Sequence, residues 1–295
     1  AIAVGNSLNR MGIKRITGDL VIETNFAMNY RVNQAVAGQM LKQALNAKLW
    51  QKAATYNYSR MPKGTPKPQV AIAGNVRVIP LHSQGIGNQT LLLRHRSLTL
   101  AQILKVMNIH SNNDMSQMLA DLQGGAQVVA QKAAAAGGFP QTEIQLINGS
   151  GLGVENRISP RAAAAMLVAI QRYLRPHNLN VSDLFPVSGR DRNGTMSSRH
   201  MPTATVIKTG TLRDVSALAG VMPTRDRGLV WFTIINRGND VLGLRVRQDQ
   251  FLQQLLQKWG AASAPPTAIV PHPSTINVES YLGDAKRNEI VFGRE

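Results

Sequence analysis

Lys208-Thr209-Gly210 follows the β-branched pair Val206-Ile207 and is followed by another hydroxyl, Thr211. A lysine ammonium beside two hydroxyls can hold a carboxylate through charge-assisted hydrogen bonds. The glycine lets a substrate backbone approach a strand closely. Taken alone, the triplet is better explained as an edge-strand lysine without a chemical role. Ser111-Asn112-Asn113 stands 97 residues before Lys208. A serine hydroxyl there can relay a proton to a leaving group, and the amide two residues on can hold a substrate carbonyl. Helix capping accounts for the same residue types, because Ser and Asn are preferred caps.

Other groups point to less chemistry. The six histidines (His82, His95, His110, His177, His200, His272) have no metal-ligand spacing, so no metal site and no cofactor are predicted. His110 adjoins Ser111, but neighbours on a helix point in different directions. The chain has no cysteine, which excludes disulfides, thiol nucleophiles and thiolate metal sites. Gly149-x-Gly151-x-Gly153 lacks the strand-then-lysine context of a phosphate-binding loop. Arg190, Arg192 and Arg199 flank the loop before the Lys-Thr-Gly strand, where contact with an anionic substrate is one reading and a solvated loop the better one. Lys and Arg number 33 against 16 Asp and Glu, a formal charge of +17. That field makes an anionic polymer or surface a candidate partner, and a generally basic soluble surface accounts for it too. Aromatic residues are only 5% and the cations are scattered, so no nucleic-acid partner is predicted. No apolar run approaches the roughly 20 residues of a membrane span, so no transmembrane segment is predicted. No signal peptide is visible. The chain opens at Ala1, as a processed or truncated product would.

The elements that must position these residues follow from periodicity and punctuation. Residues 13–22 alternate as a strand does, and residues 36–50 carry apolar positions at helical spacing. A loop is predicted over 56–68, then short strands over 69–79 and 89–94 around a Gly85-x-Gly87 turn. Thr99 is the predicted N-cap of a helix whose apolar face is Leu100, Ile103, Leu104 and Met107. A second helix follows from Met115, and a third ends at Gly137-Gly138. Ser159-Pro160 opens a further helix to about Leu174. A polar, basic loop over 187–202 leads into the Lys-Thr-Gly strand, a strand over 216–222 and an apolar strand over 229–236. A helix over 242–259 precedes a proline-rich linker or tail.

Order and spacing together carry a resemblance. Ser111-Asn112-Asn113, then Asn148-Gly149-Ser150-Gly151-Leu152 leading to Glu155-Asn156-Arg157-Ile158-Ser159-Pro160-Arg161, then Lys208-Thr209-Gly210-Thr211-Leu212 with Ser216-Ala217-Leu218-Ala219-Gly220, resemble the D-Ala-D-Ala carboxypeptidase/endopeptidase branch (class C) of the low-molecular-mass penicillin-binding proteins. Residues 13–20 resemble an upstream segment of the same family. The resemblance spans about 12–259. It implies an α+β fold: a penicillin-binding, transpeptidase-type antiparallel sheet packed between helices, with part of an inserted α/β domain over 1–96, the core over 97–260 and an extended C-terminal tail over 261–295.

By the same resemblance, Ser111 relays the proton and Asn113 orients the acyl side of the substrate. Lys208 polarises Ser111 and attracts the terminal carboxylate. Thr209 and Thr211 hydrogen-bond that carboxylate, Gly210 admits the substrate backbone, and the Thr211 N–H forms half of an oxyanion hole. The implied partners are peptidoglycan peptide stems and, where a nucleophile is supplied upstream, β-lactams. The implied location is periplasmic or otherwise outside the cytoplasmic membrane. Asn112 and Asn148 stand where the family often has an acidic residue and an aspartate. No serine in the chain has a lysine three residues on, so the Ser-x-x-Lys that sets nucleophile and base one helical turn apart is missing. In the family that motif lies upstream of the inserted domains, and the expectation is a chain lacking its N-terminal part. The implied activity is a serine-type carboxypeptidase or endopeptidase working through an acyl-enzyme, with the isolated chain inactive. The alternatives are a non-catalytic peptidoglycan- or protein-binding module and, less well matched, a β-lactamase, for which no glutamate is convincingly placed to activate a deacylating water and Glu155 alone is left open.

Overall fold

The computed structural model describes residues 1–24, 26–29, 31–80, 89–281 and 284–292. The Gly85-x-Gly87 turn and His82 lie outside them. The chain forms two compact units: residues 1–98 with 279–295, and residues 99–278.

The first unit contains α1 (Ile2–Arg10), β1 (Arg15–Ile16), β2 (Leu20–Glu23), α2 (Gln34–Ala44), α3 (Lys52–Ser59), β3 (Ala71–Ile72), β4 (Val76–Ile79) and β5 (Leu93–His95). The strands pair two by two. β1 runs parallel to β3, and β2 parallel to β4, while Asn288–Ile290 returns antiparallel to β5. Leu45, Val70 and Ile72 form the core, with Val4, Leu8, Ile16, Leu20 and Leu41 packed against them. Two sequence expectations change here. α2 stops at Ala44 because Asn46 turns the chain, its side chain accepting from Lys48 N at 3.1 Å. Part of the expected 56–68 loop is instead α3, which buries none of its residues and so carries no apolar stripe for periodicity to detect.

The second unit runs α4 (Leu100–His110), α5 (Asn113–Leu122), α6 (Ala126–Gly137), β6 (Ile144–Gln145), β7 (Arg157–Ile158), α7 (Pro160–Leu174), α8 (Val181–Leu184), β8 (Val206–Leu212), β9 (Val215–Thr224), β10 (Gly228–Arg237) and α9 (Val241–Trp259). Thr99 caps α4 as predicted, in a reciprocal capping box with Gln102. Ser159 caps α7 with Pro160 behind it. β8, β9 and β10 form an antiparallel sheet with β9 in the centre. Alternation along the strands splits their side chains between two cores. Ile207, Leu218, Met222, Phe232 and Ile234 meet Leu252, Leu255, Leu256 and Trp259 of α9. Val206, Val221, Leu229 and Trp231 meet Ile170 of α7, Val181 of α8 and Ile269. The sheet is therefore packed between helices, as the sequence implied. Gly220 permits the close approach of β8 to β9: a Cβ there would stand 2.1 Å from the Val206 carbonyl oxygen.

Residues 261–278 add to this unit. Ile269 is only 2% exposed in the core beneath the sheet. Gln171 donates to the Ala268 carbonyl, and Asn180 to that of Val270. The buried Asp183 carboxylate accepts from His272 N at 2.6 Å and from the Thr275 hydroxyl.

A candidate carboxylate and proton-relay site

Three elements of the second unit bring the candidate residues together: the corner between α4 and α5, the edge strand β8, and the loop over 187–202. Ser111 ends α4 in a left-handed conformation, φ 49° and ψ 52°, uncommon for a residue bearing a Cβ. Asn112 then starts α5, its side chain accepting from Met115 N at 2.8 Å. Capping is thus the work of Asn112, which leaves the Ser111 hydroxyl outside the helix. That hydroxyl accepts a hydrogen bond from Lys208 Nζ at 2.8 Å. Asn113 occupies the first position of α5, exposed, with no side-chain hydrogen bond among the described residues.

Lys208 Nζ also donates to the carbonyl oxygen of Thr209 at 2.6 Å, and has no carboxylate partner among the described residues. Burial without such a partner pushes its amine down to about 8. Ile207 N–H points away from β9, donating to the Pro186 carbonyl at 3.0 Å. By antiparallel alternation the N–H groups of Thr209 and Thr211 line the same outer edge. The 186–188 segment covers that edge beside Val206 and Ile207, so the Thr209–Thr211 stretch is the part left for another chain. Thr209 and Thr211 lie on the α9 face of β8 and Lys208 on the opposite face. The Thr211 hydroxyl accepts from Arg245 Nη2 of α9 at 2.7 Å.

The placement of Ser111 depends on a polar face of α4. The sequence marks Leu100, Ile103, Leu104 and Met107 as the inward face, yet the most deeply buried positions include Gln102, Lys105 and Asn108. The reason lies in α8, a single turn whose carbonyls cannot all be satisfied internally. Lys105 Nζ donates to the carbonyls of Ser182 and Phe185, and Asn108 to that of Leu184. Gln102 donates to the Ser274 carbonyl. Lys105, 2% exposed, is neutralised by Asp191 at 2.7 Å. Desolvation still holds its pKa below the ordinary lysine value, with Asp191 pulling it back up.

The 187–202 loop, predicted to be solvated, is bound at both ends. The Arg199 side chain is 2% exposed and forks onto Asp249 of α9, whose other oxygen accepts from His200 N. Gly194, at φ +63°, lies against the end of α4: a Cβ would stand 2.2 Å from the Ile109 carbonyl oxygen. Gly194→Ala is expected to cost about 2 kcal/mol or more, from the positive φ and the clash together. Urea denaturation measures that cost, and unchanged stability would show that the α4 end yields freely.

The loop over 148–153 rests on α5. Ser116 donates to the Gly149 carbonyl, and Gln117 accepts from Gly149 N. Asn148 Oδ1 accepts from Gly151 N and from the Ser150 hydroxyl. The amide oxygen thus accepts within the loop, while Asn148 Nδ2 donates to the Leu152 carbonyl at 2.6 Å.

Sequence reasoning missed Lys105, Asp191, Gly194 and Arg245. A polar stripe at 102, 105 and 108 was visible, but its spacing is equally that of a solvent face.

Comparison with known proteins agrees with this architecture. The curated carboxypeptidase DacB of Mycolicibacterium smegmatis is 26% identical over 176 residues, which cover 54% of this chain and 38% of that protein. The chain thus spans well under half the length of this curated relative. The predatory endopeptidase Bd0816 of Bdellovibrio bacteriovorus, solved in complex with an immunity protein, superposes with a TM-score of 0.74 at 20% identity, over 95% of this chain and 78% of that one. The penicillin G-acylated predatory endopeptidase Bd3459 of the same organism, also in complex with an immunity protein, gives 0.72 at 21% identity, over 95% and 77%. At these identities the two structures establish the fold. A family model matches residues 69–258, more than half of the sequence, and the chain belongs to the D-Ala-D-Ala carboxypeptidase 3 (S13) family.

Proposed function

We propose that this chain provides the substrate-carboxylate and proton-relay half of a serine-type D-alanyl-D-alanine carboxypeptidase or endopeptidase acting on peptidoglycan peptide stems outside the cytoplasmic membrane. The observation that carries the proposal is the 2.8 Å hydrogen bond from Lys208 Nζ to Ser111 Oγ, made by an ammonium with no carboxylate of its own among the described residues. Because Ser111 Oγ accepts from Lys208, its own proton is directed elsewhere, as a relay to a departing amine requires. The stem's terminal carboxylate lies along the outer edge of β8, drawn by Lys208 and held by the hydroxyls of Thr209 and Thr211. Gly210 lets the peptide lie close. Asn113 orients the acyl side, and the Thr211 N–H faces the developing oxyanion.

The 295 residues contain no Ser-x-x-Lys. The isolated chain is therefore expected to bind N-acyl-D-Ala-D-Ala weakly, without releasing D-Ala and without forming a covalent adduct with fluorescent penicillin. A gel showing a stable penicillin adduct would overturn the inactivity. Absence of peptide binding in an NMR titration would overturn the site. The same missing motif favours a second reading, a non-catalytic module that captures stem carboxylates. The two part on one measurement: D-Ala release from a pentapeptide by the protein as the cell produces it. Among the described residues no helix is long and apolar enough to cross a membrane.

A further inference from the structure

The arginines around β8 and α9 differ in one respect. Arg199 pairs with Asp249, Arg237 with Asp214, and Arg247 with Asp240. Arg245, on the same helix as Arg247, has no carboxylate partner among the described residues. Among the described residues its one side-chain hydrogen bond is the donation from Nη2 to Thr211 Oγ1 at 2.7 Å. It is half-buried rather than fully extended into solvent. Guanidinium is the cation best matched to a carboxylate, charged at every working pH and offering paired donors in one plane.

The bond has a consequence for the threonine. A hydroxyl that accepts from a cation keeps its own proton free to donate. Thr211 thus presents a donor whose oxygen is polarised by a positive charge behind it, at the exposed end of the β8 edge. Lys208 supplies charge from the opposite face of the same strand, so an anion on the edge between them meets cations from both faces of the sheet.

We propose that Arg245 is a specificity-determining residue for the substrate's terminal carboxylate, acting with Thr211 and complementing Lys208. The inference rests on the reading of β8 as the stem-binding edge. Arg245 selects an anionic C-terminus over a neutral one, and its guanidinium turns from Thr211 alone to Thr211 and the carboxylate together.

The test compares dissociation constants of N-acetyl-D-Ala-D-Ala and its C-terminal amide for the full chain, by NMR titration at pH 7. Wild type is expected to prefer the acid by about tenfold or more. In R245Q, acid binding should weaken by about five- to tenfold while amide binding stays unchanged, with R245K in between. A merely structural Arg245 would instead lower acid and amide binding together and lower the melting temperature. That outcome, or an R245Q preference equal to wild type, overturns the role of Arg245. Wild type binding acid and amide alike, or neither, overturns the reading of the β8 edge itself, and this inference falls with it.

Discussion

Asp191→Ala is expected to destabilise the 99–278 unit by about 3–5 kcal/mol, the range for breaking one side of a buried ion pair. Among the described residues Asp191 is the sole carboxylate bonded to the Lys105 ammonium, and its Oδ2 also accepts from Val187 N at 2.8 Å. Removing it leaves a cation 2% exposed whose remaining hydrogen bonds go to the Ser182 and Phe185 carbonyls. The amine is already held below its ordinary pKa by burial, and losing Asp191 removes the largest influence that raises it. The damage should spread along α4, because Lys105 ties the helix that ends at Ser111 to α8. Urea denaturation of Asp191→Ala, Lys105→Met and the double variant forms the decisive cycle. An apolar pair of similar volume should recover much of the loss. If Asp191→Ala costs under about 1 kcal/mol, the pair behaves as an exposed one, and α4 is held by its neighbours instead.

Lys208→Met is expected to move stability and binding in opposite directions. Lys208 titrates near 8 rather than its ordinary 10.5 because burial penalises its charge. The folded pKa lies below the unfolded one, so between about pH 8 and 10.5 the unfolded chain binds the extra proton, and stability rises with pH through that window. Below pH 8 the native state carries a desolvated charge that costs up to about 3 kcal/mol. Lys208→Met removes that cost, so thermal unfolding at pH 7 should occur at a higher temperature than in wild type. Its stability should also lose the rise from this group between pH 8 and 10.5. Binding of N-acetyl-D-Ala-D-Ala should weaken by about tenfold or more, the loss of one charge-assisted contact. In wild type that affinity should itself decline above pH 8 as the ammonium deprotonates. A variant less stable than wild type at pH 7 would show that the bonds to Ser111 and Thr209 outweigh the desolvation.

Much of the positioning frame is written in local sequence. Thr99 with Gln102, Ser159 with Pro160, and Gly138 after α6 mark helix ends through bonds made within a few residues, so they could be read before any folding. The hairpins of β8, β9 and β10 are likewise neighbours in the chain, and their apolar runs are long enough to name them strands. The residue types of the candidate site, Ser111, Asn113 and Lys208-Thr209-Gly210-Thr211, are equally visible in order.

The tertiary structure alone decides which of those groups meet. Ser111 and Lys208 are 97 residues apart, and no short-range signal sets their distance. That distance follows from a polar face of α4 taking up the carbonyls of α8, and from Gly194 fitting under the end of the same helix. Lys105 and Asp191, 86 residues apart, each look like surface residues until burial forces them to pair. Arg199 looked solvated for the same reason, since a charge is excluded from the interior unless its partner is known, and Asp249 becomes its neighbour only when α9 packs on the sheet. The 261–278 segment, with its four prolines, reads as a linker or tail, but Ile269 and the carbonyls of Ala268 and Val270 find sites prepared by α7 and α8. By itself the sequence determined the helices, the hairpins and the chemistry available at Lys208-Thr209-Gly210. Folding decided that Lys208 would face Ser111 with no carboxylate beside it among the described residues, because pairing and desolvation are properties of surroundings rather than of residues.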